Sequence, residues 1–232
     1  MKMIHIEGVG DIKLVKVSRA KTIRLSVAAN NSVRISLPTW IPYVAAEAFA
    51  RSHVAWLKRT LAKQPAKKTY EDGQKIGKLH HISFVKTPHF KQLSTRVTAT
   101  RIIVAYHTHE TIHDQTVQTR AEKAIFRALR KETTQLLPPR VQHFAEIYGF
   151  FYGNIAAKQL KRRWGSCDSR KNIVFNFFVM ELPWDLIDYV ILHELTHTEH
   201  MHHGLAFWAR LTEICPDAKD RRHRINRYRP ML

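Results

Sequence analysis

The sequence predicts an α+β fold, with a β-rich N-terminal region of residues 1–115 and a largely helical C-terminal domain of residues 116–232 that also contains a small sheet. Two observations predict it. Apolar residues alternate with polar ones in the first part of the chain, whereas they recur at helical spacing in much of the second. With 232 residues, 44% of them apolar, the chain can bury one large core or two small ones.

The N-terminal region begins with strand patterns. In TIRLSVAANNSVRISLP, apolar positions alternate over residues 23–27 and again over 33–37, which predicts two strands joined by a tight turn at Asn30 and Asn31. Pro42 begins a segment with helical spacing, predicted as one helix of about 20 residues. Short strands are predicted near residues 81–85 and 101–106. No catalytic pattern is found in this region.

The C-terminal domain begins with a long helical pattern, which Pro138 and Pro139 are expected to interrupt and which resumes up to Gly149. Strands are predicted over residues 156–161 and 173–180, and the second is apolar enough to be covered on both faces. The sequence RRWGSCDSRKN between them has the composition of a turn-rich connector. Pro183 then begins a helix that contains most of YVILHELTHTEHMHHGLAFW, residues 189–208.

The composition limits the setting and the partners of the protein. A formal charge of +19 and a pI near 10.2 favour either a solvated basic surface or an anionic partner such as nucleic acid or a nucleotide. No apolar run is long enough to predict a membrane span, and the first residues do not have the pattern of a secretory signal. Cys167 and Cys215 form no CxxC pair, so we expect a cytoplasmic protein without a cysteine-ligated zinc site.

The strongest chemical signal is the sequence H-E-x-x-H, formed by His193, Glu194 and His197. One helical turn separates the two histidines, so both imidazoles project from the same face and can bind one metal ion. Glu194 lies about 100° further round the helix, where its carboxylate can reach a water molecule at the metal without binding the ion. This is the position that a general base requires.

A catalytic zinc site commonly has three protein ligands, so a third ligand is expected further along the chain. His200, His202 and His203 are candidates, provided that the chain turns after about Met201. Glu213 is the alternative, in a site of the glutamate-ligand type. The spacing alone leaves these possibilities open.

Three stretches together resemble the YgjP-like family of predicted bacterial metal-dependent hydrolases. They are RWGSC at 163–167, NIVFNFFVMELPWDLIDYVILHELTHTEHMHHGLAFW at 172–208, and CPD at 215–217. These hydrolases are relatives of the zincin metallopeptidases and, more distantly, of SprT-like proteases. The resemblance implies a zincin-like catalytic domain that binds Zn²⁺ through His193, His197 and His203. It also implies that Glu194 is the catalytic acid and base.

The substrate is predicted less sharply than the metal site. A peptide or protein is the default, and an extended peptide could pair with residues 173–180 if that strand lay at an exposed edge beside the metal. The resemblance also allows a nucleotide (UTP) pyrophosphatase, and the basic charge allows a protease associated with nucleic acid. In the RWGSC stretch, Trp164 is expected in the core and Gly165 in a turn, with Arg163 or Ser166 as candidates for contact with the substrate.

Overall fold

The computed structural model describes residues 2–27, 32–62, 68–89, 93–228 and 230. They fold into two units, Met1–Lys68 and Thr69–Met231. The predicted α+β fold is confirmed, because helices and small sheets occur in both units. The boundary expected after residue 115 falls inside the larger unit, because the strands that precede it share their core with the helix that follows.

The smaller unit is a four-stranded sheet with two helices. Its strands are β1 (Lys2–Ile6), β2 (Gly10–Lys16), β3 (Arg24–Val27) and β4 (Val33–Leu37), in the order β1-β2-β4-β3. The predicted strands over 23–27 and 33–37 are confirmed as the antiparallel pair β3 and β4, while their turn at Asn30 and Asn31 lies outside the described residues.

The single helix predicted after Pro42 is wrong, because two helices are present, α1 (Tyr43–Ser52) and α2 (Val54–Ala62). His53 lies between them with non-helical backbone angles, φ −107° and ψ 14°. Its ring Nδ1 lies 2.9 Å from the carbonyl oxygen of Phe49, which satisfies one of the carbonyl groups that the end of α1 leaves free.

The larger unit begins with a second sheet, which packs on a long helix. Its strands are β5 (Lys75–Ile76), β6 (His80–Thr87), β7 (Thr95–Val97) and β8 (Arg101–His107), in the order β5-β6-β8-β7. Helix α3 (Gln115–Tyr148) contacts β6, β7 and β8. Buried Glu132 of α3 holds the turn between β5 and β6. Its carboxylate accepts hydrogen bonds from the backbone N–H groups of Lys78, Leu79 and His80.

The interruption expected at Pro138 and Pro139 is wrong, because α3 runs through both prolines. Proline removes a hydrogen bond and crowds the preceding turn, but burial of Leu137 and Val141 on either side keeps this helix in one piece. The helix ends at Gly149, whose φ of 77° is the left-handed conformation that glycine adopts without strain.

The third sheet is the one that borders the candidate site. Its strands are β9 (Ile155–Lys158), β10 (Gly165–Cys167) and β11 (Ile173–Asn176), in the order β10-β11-β9. Part of the predicted connector is therefore strand β10, and the strand predicted over 173–180 ends at Asn176, where a 3₁₀ helix over Phe177–Glu181 begins. Because β11 lies in the middle of the sheet, residues 173–180 do not provide an exposed edge.

Three helices complete the larger unit, α4 (Trp184–Thr196), α5 (Leu205–Ile214) and α6 (Ala218–Ile225). Helix α4 contacts β10, α5 and α6, and Leu186, Ile187, Ile191 and Leu195 are fully buried. Of the helices that the structure describes, none has both the length and the apolar character to cross a membrane.

Candidate active site

Helix α4 carries the H-E-x-x-H sequence at its C-terminal end. It ends at Thr196, earlier than the turn expected after about Met201, and His197 occupies its C-cap position. The backbone N–H of His200 donates to the carbonyl oxygen of Thr196, and α5 begins only at Leu205. The intervening turn brings His203 back towards the two histidines of α4.

His193, His197 and His203 converge on one point. One ring nitrogen of each lies within 4.8 Å of those of the other two, and the two Nε2 atoms of His193 and His203 are 3.0 Å apart. The Nδ1 atom of His197 lies 3.1 Å from the carbonyl oxygen of His200. Because a carbonyl only accepts, Nδ1 carries the proton there and Nε2 keeps a free lone pair, as a metal ligand requires.

The protonation states of the three imidazoles also suit a metal. Burial, followed by the neighbouring His197, His203 and Arg222, lowers the pKa of His193 to about 3. Burial likewise lowers the pKa of His197 and of His203. The side chains are therefore neutral near pH 7, and neutral imidazole is the form that binds a metal ion. Three neutral imidazole nitrogens that converge in this way are a donor set that fits a single metal ion such as zinc.

The aromatic rings of α5 support the three histidines. Phe207 is fully buried, and its ring centroid lies 5.0 Å from that of His193 and 4.6 Å from those of His197 and His203. The Trp208 ring lies 5.8 Å from that of His203. These contacts fix the imidazoles by packing, which reduces the entropy that they would lose on binding a metal.

Glu194 is buried next to the histidines, with 5% of its surface exposed. Burial raises the pKa of its carboxyl to about 8, and the positive charge of Arg163 opposes that rise. Among the described residues, its Oε2 atom has no hydrogen-bond partner. A buried polar atom without a partner is costly, so this oxygen is suited to a ligand or a water molecule in the cavity.

Gly165 of β10 leaves the space that Glu194 occupies. A Cβ atom at this position would lie 2.6 Å from Oε1 of Glu194 and 2.7 Å from its Cγ. The prediction of Gly165 in a turn is wrong, because it is a strand residue paired with Phe175 of β11. The φ angle of Gly165 is not positive, so backbone conformation does not require glycine here. The close approach of the Glu194 carboxylate is what requires it.

A cavity of about 410 Å³ opens over the histidines and Glu194. Strand β10 forms one wall, while α4, the turn after it and α6 form the others. Tyr189 is one of the lining residues, and burial raises its pKa to about 12, so its hydroxyl remains a hydrogen-bond donor. The lining residues are Arg163, Trp164, Gly165, Ser166, Cys167, Tyr189, Val190, His193, Glu194, His197, Met201, His203 and Ile225.

The structure separates the candidate residues that the sequence left open. Arg163 and Ser166 line the cavity, as does Trp164, which is half-buried and packs against the core. His202 and Glu213 are exposed and do not line it, and Glu213 forms an ion pair with Arg210 instead.

Arg222 is a residue near the site that the sequence reasoning did not single out. Its guanidinium carbon lies 4.7 Å from the centre of the Trp208 ring, and its charge contributes to the lowered pKa of His193 and His203. Arg222 lies in the basic run KDRRHRINRYR at residues 219–229, but the sequence did not indicate which arginine of this run lies near the site.

Comparisons with known proteins identify the family. The model of the family described as YgjP-like, metallopeptidase domain, matches residues 21–228. A search of curated proteins found no significant match. Among solved structures, the metallopeptidase zymogen of Pyrococcus abyssi abylysin is similar at 23% identity and a TM-score of 0.35, over 40% of this chain and 95% of that one. The metallopeptidase zymogen of Methanocaldococcus jannaschii jannalysin is similar at 24% identity and a TM-score of 0.34, over 38% of this chain and 90% of that one. Because the family model spans most of its length, the chain belongs to the YgjP-like family and carries that family's metallopeptidase domain.

Proposed function

We propose that the protein is a zinc-dependent metallopeptidase in which His193, His197 and His203 hold the metal and Glu194 is the general base. The observation that carries this proposal is the convergence of three neutral imidazoles next to a buried carboxylate at the base of an open cavity. Three histidines with an open fourth position are a recurrent ligand set of catalytic zinc. When bound, zinc supplies a Lewis acid that polarises the scissile carbonyl and acidifies a water molecule.

Glu194 moves the proton in this mechanism. Its Oε2 atom has no partner among the described residues, so it can accept a proton from the attacking water and then deliver it to the leaving amine. Burial alone would keep this carboxyl protonated near pH 7. A cation held by the neighbouring histidines favours the ionised form, because an opposite charge close by lowers a carboxyl pKa.

Two further parts of the cavity suit a peptide. Strand β10 is at an edge of its sheet, and all three of its residues line the cavity. An extended peptide can pair with such an edge through main-chain hydrogen bonds, which places the peptide bond beside Glu194. The protonated hydroxyl of Tyr189 is the candidate donor to the carbonyl oxygen of the substrate.

The proposal is tested by metal analysis and paired hydrolysis assays. We expect about one zinc ion per chain in the purified protein, and loss of zinc from His193→Ala and from His197→Ala, because two remaining imidazoles seldom hold zinc firmly. Peptide hydrolysis should stop on chelation and return with added zinc. Hydrolysis of UTP but of no peptide would favour the pyrophosphatase, and activity that requires DNA would favour a protease associated with nucleic acid.

Gly165→Ala should lower kcat for peptide hydrolysis by about 100-fold, the order of loss that a small misplacement of a catalytic group produces. The added methyl group would lie within 2.8 Å of three atoms of Glu194, so the carboxylate must move. Zinc content should stay at the wild-type level, because the three atoms nearest to the added methyl group all belong to Glu194 and none to a histidine. Steady-state kinetics and metal analysis on the same preparation measure both quantities.

Gly204→Ala is the matched control for this substitution. Gly204 follows His203 directly, but a Cβ atom there meets nothing within 4 Å, and its φ of −80° suits alanine. We expect kcat within about threefold of wild type. Gly204 is the N-cap of α5, and alanine at an N-cap weakens the start of the helix without moving Glu194. Equal kcat in Gly165→Ala and the wild type would contradict the role of this glycine.

A further inference from the structure

The cavity is basic at its margin and contains little acid. Among the described residues that line it, Glu194 is the one carboxylate, and Arg163, two residues before β10, is exposed. Arg222 approaches from α6, over the Trp208 ring. Strand β10 and α6 both contact α4. Arg163 lies two residues before β10 and Arg222 lies in α6, so the two arginines are on segments next to the same helix.

These two arginines differ from Arg221 and Arg224 of α6, which are paired with carboxylates. Arg221 pairs with Asp217, and Arg224 pairs with Asp185. Across the ranges that the structure describes, neither Arg163 nor Arg222 forms an ion pair with a carboxylate. Two guanidinium groups thus remain available for an anion at the margin of the site.

An available guanidinium group next to a reaction site has a definite chemical use. It can donate two parallel hydrogen bonds to one carboxylate, which gives orientation as well as attraction. Trp208 holds the Arg222 guanidinium over its ring by a cation–π contact. Arg222 therefore loses less side-chain entropy when it binds an anion than a fully mobile arginine would.

We propose that the substrates are peptides with acidic side chains close to the scissile bond, and that Arg163 and Arg222 bind those side chains. This inference rests on the proposed peptidase function. An acidic peptide is favoured over a nucleotide because Arg163 lies next to the β10 edge, where an extended chain can pair and present its side chains. Nucleotide hydrolysis is an outcome of the test.

The test compares pairs of fluorogenic peptides that differ only by glutamate or glutamine, placed in turn at each of the three positions on either side of the scissile bond. For wild type we expect kcat/KM to be about tenfold higher for glutamate at one or more positions. That factor corresponds to two exposed ion pairs of a few-fold each. The preference should shrink between about 0.05 and 0.5 M salt, because ions screen exposed charges.

The arginine variants assign the preference to residues. Arg163→Gln and Arg222→Gln should each reduce the ratio of glutamate to glutamine kcat/KM by about threefold, and the double variant should bring it close to one. The ratio is the measured quantity because Arg163 also acts on the pKa of Glu194, and that effect cancels between the two peptides. Arg227→Gln is the matched control, as an exposed arginine just beyond the end of α6.

The outcomes distinguish this inference from the function on which it rests. Wild type that cleaves glutamate and glutamine peptides equally overturns the acidic preference and leaves the peptidase intact. An equal loss of preference in Arg227→Gln overturns the assignment to Arg163 and Arg222, because net charge would then be the cause. Hydrolysis of UTP with no cleavage of any peptide overturns both proposals.

Discussion

Glu194→Gln should lower kcat for peptide hydrolysis by about 10²- to 10⁴-fold, the range that general acid–base catalysis contributes. The amide has nearly the same shape as the carboxylate, so it fits the space beside Gly165, but it cannot accept the proton of the attacking water. Zinc content and thermal stability should remain close to wild type. Burial already disfavours the charge at this position, so replacing the carboxyl by a neutral group does not leave an ion unpaired.

Glu199→Gln is the matched control, because it is the same substitution in the turn that follows α4, outside the cavity. Glu199 is exposed and pairs with Arg210, which keeps Glu213 as a second partner. Activity in this variant should equal that of wild type. Loss of zinc from Glu194→Gln would show that Glu194 is a ligand, and full activity would remove it from the mechanism.

The parts of the site that the sequence predicted well are local. His193 and His197 are one turn apart on a single helix, so the proximity of their imidazoles followed from helix geometry. The third position did not follow in that way, because its location depends on where α4 ends and how the turn after Thr196 is built. Spacing therefore left His200, His202, His203 and Glu213 open, and the family resemblance then supported His203.

The residue roles that were not predicted from the sequence depend on contacts between distant parts of the chain. Gly165 has the composition of a turn residue, but its role follows from Glu194, which lies 29 positions later and fills the space in front of it. Arg222 lies in a basic run in which Arg221 and Arg224 are paired with acids. Only the folded structure shows that Arg222 differs from these two. Local propensity cannot encode such contacts.

The fold shows the same division between local and tertiary causes. The alternation over 23–27 and 33–37 predicted β3 and β4 correctly, because a half-buried strand has that pattern whatever its surroundings. The predicted break of α3 at Pro138 and Pro139 was wrong, because the burial of neighbouring residues outweighed the local preference for a break. Residues 173–180 were apolar because β11 is central and the 3₁₀ helix after it is buried.

His203→Ala should weaken zinc binding by more than about 100-fold, which exceeds the 10- to 100-fold loss typical for an outer partner of a metal ligand. His200→Ala, His202→Ala and Glu213→Ala should each stay close to wild type. The side chain of His202 is exposed, and Glu213 pairs with Arg210. The contact of His200 with the site uses its backbone carbonyl, which alanine retains.

Titration of the four variants with a competing chelator gives their zinc affinities on one scale. Circular dichroism of each apoprotein serves as the control, since His203 is exposed and its loss should leave the fold intact. A selective loss of zinc in Glu213→Ala would mean that α5 supplies the ligand and that the site is of the glutamate-ligand type. Its carboxylate would then have to leave Arg210 and enter a cavity that it does not line, which is why we expect the loss in His203→Ala instead.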